Sequence, residues 1–365
     1  MAWLLGLLFL LGLYWAAFLL LPVRGRAEQS VEPPAGFADR PRRVRAEVAF
    51  TLFVPAYWRL SVFALGRAGL QPRTFSGLGF GQVALSPKAE ARPPKRGVYP
   101  LPAPELVLVD LFGLFRRRVP LPTNDARLVV YPRRWPVLPP ALRLTLLAEG
   151  PPAELVGLAD PTRYRGARPY RPGDPWRRLH WKLTAKRGAP MVREYDPVRA
   201  TGVWLYLDTY RASPVFVEHL AELAASLAVT LEAEGLHVGL AWPGGRLPPV
   251  SGQSGMARLL TALAELDPSP EPAAPPLPPP GVNLFIFTQH APLALIEGAL
   301  RARARAAKVV LLLFPEGFFL RPGEKGRPIW GKTPGMARLL ARRRLLAAAG
   351  VQVGIIRGKD RVRFF

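Results

Sequence analysis

Cysteine is absent from the 365 residues, so disulfides, thiolate metal sites and a Cys nucleophile are excluded. Histidine is scarce: His180, His219, His237 and His290 are the complete set, and none has the HExxH spacing of a zinc site. No GxxxxGK[ST] phosphate loop, no serine elbow and no internal repeat occurs. Acidic residues are few, 26 against 50 Lys and Arg, leaving a net charge of +24. Such a surface attracts anionic lipid, acidic protein or nucleic acid without choosing among them. Arginine supplies 42 of the 50 basic residues and proline reaches 43. GC-rich coding produces the same bias, which weakens a nucleic-acid reading.

What is present is enough apolar sequence, 49%, for real cores, and length for about two domains. Residues 2–23, AWLLGLLFLLGLYWAAFLLLPV, carry no charge. As a helix they reach about 33 Å, against roughly 30 Å of hydrocarbon core. A cleaved signal peptide has a basic start and a shorter apolar core; this stretch reads as a transmembrane anchor through the lipid bilayer. Arg24, Arg26, Arg40, Arg42, Arg43 and Arg45 follow it. By the positive-inside rule they hold the soluble part in the cytoplasm.

Residues 24–43 read as a basic juxtamembrane linker. Residues 44–150 show short apolar runs broken by Pro and Gly, among them VRAEVAFTLFV, RLSVFAL, ELVLVDLFGLF and ARLVVYP. This pattern predicts a β-sandwich-like module, with a turn at Gly113 leading into a basic edge strand at Arg116, Arg117 and Arg118. Residues 201–365 alternate instead. Strands are expected at 202–208, 236–242, 282–288, 308–314 and 351–357. Helices are expected at 213–235, 254–266, 291–306 and 334–350, the first capped by Ser213 with Pro214 in its first turn and Gly235 at its end. That alternation implies a mostly parallel sheet covered on both faces. The Pro-rich stretch 267–281 inside it reads as an extended, flexible linker.

Between these parts, 151–200 contains the densest charge: residues 161–200 hold eleven Lys and Arg against three Asp and Glu. The run RPYRPGDPWRRLHWKLTAKRGAPMVREYD resembles the signature of the bacterial family catalogued as domain of unknown function 58. Arg168, Tyr170, Gly173, Asp174 and Arg177 fall on that pattern, as do Trp181, Thr184, Ala185 and Lys186, and then Val192, Arg193 and Glu194. The upstream KRGVYPLPAPELVLVDLFGLFRRR resembles a second family stretch, with Leu111 where proline is usual. The resemblance implies a C-terminal von Willebrand A-type domain, Rossmann-like and doubly wound. It also implies association with AAA+ ATPases of the MoxR type, and two N-terminal spans, a pattern from which this chain departs by showing one.

Such domains often hold a divalent ion through Asp-x-Ser-x-Ser after the first strand. Here Asp208 keeps the first position, while Tyr210 and Ala212 replace the two serines. This donor set suits Mg²⁺ poorly, so a degenerate, metal-free loop is expected, and no cofactor.

The signature segment offers Asp174, Glu194, Asp196, His180 and Thr184 as catalytic groups, but no nucleophile–base–orienter set accompanies them. A non-enzymatic role is expected. The Pro172–Gly173 pair suits a tight turn, with Asp174 accepting from nearby N–H groups or pairing with Arg177 or Arg178. Trp181 reads as an apolar anchor clasping the segment to the α/β domain. The outer Arg163, Arg165, Arg168, Arg171 and Arg187 read as contacts for anionic lipid or an acidic protein. The leading expectation is a membrane-anchored interaction protein. The alternatives are a nucleic-acid binder, which is not expected, and a metal-dependent adhesion module facing outward.

Overall fold

A computed structural model describes residues 2–38, 40–134, 159–171, 179–197, 202–319 and 333–356. The chain divides into two units, Met1–Arg133 with Leu260–Glu265, and Arg134–Leu259 with Leu266–Phe365.

The first unit begins with the apolar helix α1 (Ala2–Leu20). Its strands are β1 (Arg24–Glu32), β2 (Ala35–Phe37), β3 (Arg42–Val62), β4 (Arg73–Leu85), β5 (Lys88–Ala91), β6 (Gly97–Pro100), β7 (Glu105–Val109), β8 (Arg116–Pro120) and β9 (Arg127–Tyr131). Strands β1 and β7 pair along one edge of β3, with β8 beyond β7, and β4 and β5 pair along its other edge. A second sheet of order β2-β9-β6 completes the unit. Side chains of both sheets form one buried cluster that includes Phe50, Leu60, Leu106 and Leu128, and Phe18 of α1 joins it.

Two expectations are corrected here. Residues 24–43 are not a linker, because β1 pairs with β3 from Arg24↔Thr51 to Glu32↔Arg43. Its charges hid an alternation in which Ala27, Gln29 and Val31 point inward. The runs 44–54 and 59–65 are not two strands but parts of one 21-residue strand passing through Pro55. Proline lacks a ladder donor and is tolerated at irregularities. The register of β3 against β4 shifts between Leu52 and Ala56, where Pro55 sits. The basic β8 is an edge strand, as read from its arginines.

The second unit starts with β10 (Ala159–Pro169), the short helix α2 (Trp181–Arg187) and β11 (Met191–Pro197). Then follow β12 (Gly202–Leu207), α3 (Pro214–Ala233), β13 (His237–Trp242), β14 (Gly245–Val250), α4 (Gly252–Ala264), β15 (Asn283–Thr288), α5 (Leu293–Ala302), β16 (Lys308–Leu313), α6 (Pro334–Ala348) and β17 (Val351–Ile355). The sheet runs β14-β13-β12-β15-β16-β17, parallel throughout except for the edge strand β14. Strands β12, β15 and β16 are buried along their whole length, which is why each reads as an unbroken apolar run. Ser213 caps α3 by accepting from the N–H of Phe216, Pro214 opens the helix, and Gly235 follows at φ 81°. Strand β14 was not read from the sequence; Pro248 and Pro249 in it are tolerated at a sheet edge.

The stretch 267–281 is not a free linker. Pro275 and Pro278 are buried, and Tyr206 donates to the carbonyl of Ala273 at 3.0 Å. The Ser269 N–H donates to the carbonyl of Thr209 at 2.9 Å. A Cβ on Gly298 of α5 would lie 2.5 Å from Cδ of Pro275, so glycine leaves the room the segment occupies.

Helices α1 and α3 are both long and apolar enough to cross a membrane. Two-thirds of α3 (67%) is buried within the fold, against 6% of the Trp3–Leu20 window, so α3 is a core helix and α1 is the candidate span.

Candidate functional site

Three places carry the polar residues that the sequence singled out. The first is the signature segment. Strands β10 and β11 pair antiparallel, with Gly166↔Glu194, Ala167↔Arg193 and Arg168↔Val192 in register. Helix α2 is inserted between them. Its N-terminus is capped by His180, whose Nδ1 accepts from the N–H of Leu183 at 3.2 Å, and Gly188 ends it at φ 65°. The hydroxyl of Thr184 accepts from the N–H of Met191 at 3.0 Å, and the N–H of His180 donates to the carbonyl of Met191 at 2.7 Å. Leu179, Met191 and Val192 are buried.

Trp181 departs from its expected role. It is 67% exposed, so the apolar anchors of the segment are Leu179, Met191 and Val192 instead. Lys182, Lys186, Arg187 and Arg193 are exposed too, as is Arg171, while Arg168 and Tyr170 are half-buried. His180 thus acts as a helix cap and Thr184 as a backbone acceptor. Gly173, Asp174, Arg177 and Arg178 lie outside the described residues, as do the side chains of Arg163, Arg165, Glu194 and Asp196.

The second place is the carboxyl end of the parallel sheet. From β12 the chain goes to β13 on one side, and β15, β16 and β17 build on the other. The strand order therefore reverses between β12 and β15, where open α/β sheets form a crevice. Asp208 leaves β12 there, 1% exposed. Its Oδ2 accepts from the Thr288 hydroxyl at 2.6 Å and its Oδ1 from the Tyr210 N–H at 3.2 Å. Burial pushes the Asp208 carboxyl up to about 6, although the bonds from Thr288 and Tyr210 pull the other way.

The Thr288 hydroxyl also accepts from the Ala291 N–H at 2.8 Å, and Gln289 Oε1 accepts from the Ser213 N–H at 3.1 Å. His290 Nε2 lies 3.1 Å from the Arg211 carbonyl, and Arg338 of α6 donates to the carbonyls of His290 and Ala291. Arg211 and Ala291 both hold positive φ, 46° and 44°. Tyr210 turns its ring under the Arg211 guanidinium, 5.4 Å away, and Ala212 is buried.

Asp208 is therefore tied to protein donors on both oxygens, and Tyr210 and Ala212 bring no ion-holding oxygens at the two serine positions. The hydroxyl of buried Thr209 has no hydrogen-bond partner. No group of three His, Asp or Glu side chains with metal-holding geometry occurs among the described residues. The sequence marks Thr288 and Gln289 only as part of a strand end that lacks an acidic residue, and it does not point to Arg338. A Thr-Gln-His run at a strand end follows no spacing rule that assigns it these hydrogen bonds.

The third place is the loop after β7 in the first unit. Asp110 is fully buried. It accepts from Trp15 Nε1 of α1 at 3.1 Å and from the N–H groups of Phe112 at 3.2 Å and Phe115 at 2.6 Å. Desolvation raises its carboxyl pKa, but the donors of Phe115, Trp15, Phe112 and Leu114 outweigh that and hold it below the usual carboxylate range. Gly113 turns the loop at φ 74°, which a side chain disfavours. The Tyr14 hydroxyl lies 2.9 Å from both the Pro55 carbonyl and the Leu111 N–H, donating to the first and accepting from the second. Arg117 donates to the carbonyls of Phe18 and Leu21, at 3.3 and 2.7 Å, filling acceptors that the end of α1 leaves open.

The class these observations define is a mixed α/β protein with an N-terminal apolar helix and a curled β unit ahead of a largely parallel sheet. Residues 166–275 match the model of the family described as Protein of unknown function DUF58. The uncharacterised protein YeaD of Bacillus subtilis is 34% identical over 74 residues. That similarity spans 20% of this chain and 18% of YeaD, well under two-thirds of the relative.

Among solved structures, an exo-β-N-acetylglucosaminidase of family GH20 from Vibrio harveyi is 10% identical over 92% of this chain and 77% of its own, at a TM-score of 0.20. A β-D-mannosidase from Dictyoglomus thermophilum is 12% identical over 91% and 35%, at 0.17. Scores this low carry no argument about fold or chemistry.

Proposed function

We propose that the protein is a non-enzymatic, membrane-anchored interaction protein. Its second unit is read as a von Willebrand A-type domain with a degenerate ion loop, a reading supported by the strand order and by Asp208 at the point where it reverses. The observation that carries the interaction role is exposed Trp181 beside exposed Lys182, Lys186 and Arg187 on one short, capped helix. A large aromatic exposed on a helix that also carries three exposed cations is costly to leave in water. It is the composition from which binding hot spots for acidic surfaces are built. The family resemblance directs the choice of partner to an AAA+ ATPase of the MoxR type.

Affinity capture of the tagged full chain from native membranes is expected to recover such an ATPase. The double variant Trp181→Ala, Lys186→Glu is expected to lose it while keeping the wild-type thermal unfolding profile. Recovery of no ATPase with the wild type, or equal recovery with the variant, would overturn this role.

Orientation is read from the arginines after α1, of which Arg24, Arg26, Arg43 and Arg45 are exposed. A fluorescent-protein fusion at the C-terminus is expected to light up, and a phosphatase fusion there to stay inactive. The reverse pattern would place both units outside the cytoplasm.

A further inference from the structure

Helix α1 has 19 residues, about 28 Å at 1.5 Å each, so it spans roughly 30 Å of hydrocarbon only if all of it is used. Yet its last turns are not bare. Tyr14 and Trp15 contact the loop after β7: the ring of Phe112 meets both edge-on at 6.1 and 5.9 Å, and Phe115 meets Trp15 at 5.8 Å. Beyond that level the helix stays apolar for five more residues and Leu21 follows it, with Leu19, Leu20 and Leu21 exposed at 45%, 80% and 41%. Residues 2–13 alone reach only about 18 Å, too short to cross.

The loop is thus held beside a part of α1 that must lie within the apolar layer. Its own side chains suit that layer. Leu111, Phe112, Leu114 and Phe115 are exposed at 38%, 56%, 66% and 37%. A four-residue apolar patch of this kind is unusual on a water-facing turn. The loop's polar side chain, Asp110, is buried, and its carboxylate takes up backbone N–H groups that lipid could not satisfy.

The flanking charge is complementary. Arg116 and Arg118 follow at once, and with Arg59 they line a groove of about 530 Å³; Arg118 there is paired with Glu105 at 3.5 Å, and the guanidinium groups of Arg59 and Arg116 suit anionic headgroups.

We propose that the Leu111–Phe115 loop enters the lipid bilayer beside α1, so that the first unit is seated in the interfacial layer instead of hanging below it from a free helix. This rests on α1 being membrane-anchored. The absence of cysteine allows both points to be read separately with single-Cys variants of the full chain, Leu114→Cys, Leu8→Cys and Glu90→Cys. Glu90 pairs with Arg43, fourteen residues along β3 from the Tyr57 that pairs with Val109, and so reports on the far end of the unit.

Each variant carries an environment-sensitive fluorophore and is placed in nanodiscs of phosphatidylcholine and phosphatidylglycerol, with and without spin-labelled lipid. The expected result is a blue shift and loss of most emission at positions 8 and 114, with position 90 unchanged. Quenching at 8 with none at 114 overturns the seated loop and leaves the anchor intact. No quenching at 8 overturns the anchor, and with it this inference. A blue shift at 114 without quenching by lipid means that protein covers the loop, and overturns the lipid assignment.

Discussion

Replacing Asp110 with alanine is expected to destabilise the first unit by about 3–5 kcal/mol. Three donors converge on this carboxylate, the N–H groups of Phe112 and Phe115 and the indole of Trp15. A buried donor left without a partner costs roughly 1–3 kcal/mol. Alanine removes all three bonds and leaves little room for water at a fully buried position. Asparagine rescues it only in part, because its single oxygen can accept from Trp15 and Phe112 or from Phe115, and its NH₂ then meets the remaining donor. Hydrogen exchange of the full chain in detergent resolves the effect: protection of amides in β3 is expected to fall steeply in Asp110→Ala, by less in Asp110→Asn, and that in β15 to stay unchanged. Wild-type protection of β3 in Asp110→Ala would mean that the carboxylate is not the keystone of the loop.

The second large effect is a pH dependence carried by Asp208. Its folded-state value of about 6 lies above the ordinary 3.8. Below about pH 4 both the folded and the unfolded chain hold the proton, and the contribution of this group is fully present. As pH rises toward 6 the unfolded chain ionises first, so stability is lost by about 1.4 kcal/mol per unit, roughly 3 kcal/mol in all. Above 6 the loss levels off. Other carboxylates titrate in the same range, so the measurement is the difference between wild type and Asp208→Asn in denaturant midpoints from pH 4 to 7. The difference is expected to change steadily up to about 6 and then flatten. A flat difference throughout would show that the carboxyl is not held protonated by its buried site.

These two aspartates also show what the sequence discloses. Asp208 was legible as a strand-end acid because β12 is an uninterrupted apolar run and the residue follows it directly. Its partners were not, since Thr288 is eighty positions away and only the parallel pairing of β12 with β15 brings it near. Asp110 sat in a motif noticed for its spacing, yet its tie to Trp15 depends on how the helix returns to the β unit. Strands β13, β15, β16 and β17 were readable as short apolar runs alternating with helices, and α3 by its cap, whereas β10, β11 and β14 were not. The first unit was harder: β1 hides its buried face among charges, and Pro55 interrupts a run that the fold carries straight through. Trp181 was misjudged because size was taken to mean burial, whereas the smaller Leu179, Met191 and Val192 fill the interior of that segment.

Strand β3 is hydrogen-bonded on both flanks, to β1 and β7 on one and to β5 and β4 on the other. A ribbon braced on both sides resists flexing. Near its middle Pro55 meets Tyr14, and its opening residues, Arg42 to Arg45, lie at the β5 end. A tilt of the apolar helix is therefore expected to reach that end as a lever movement, with the Tyr14–Pro55 contact as its fulcrum.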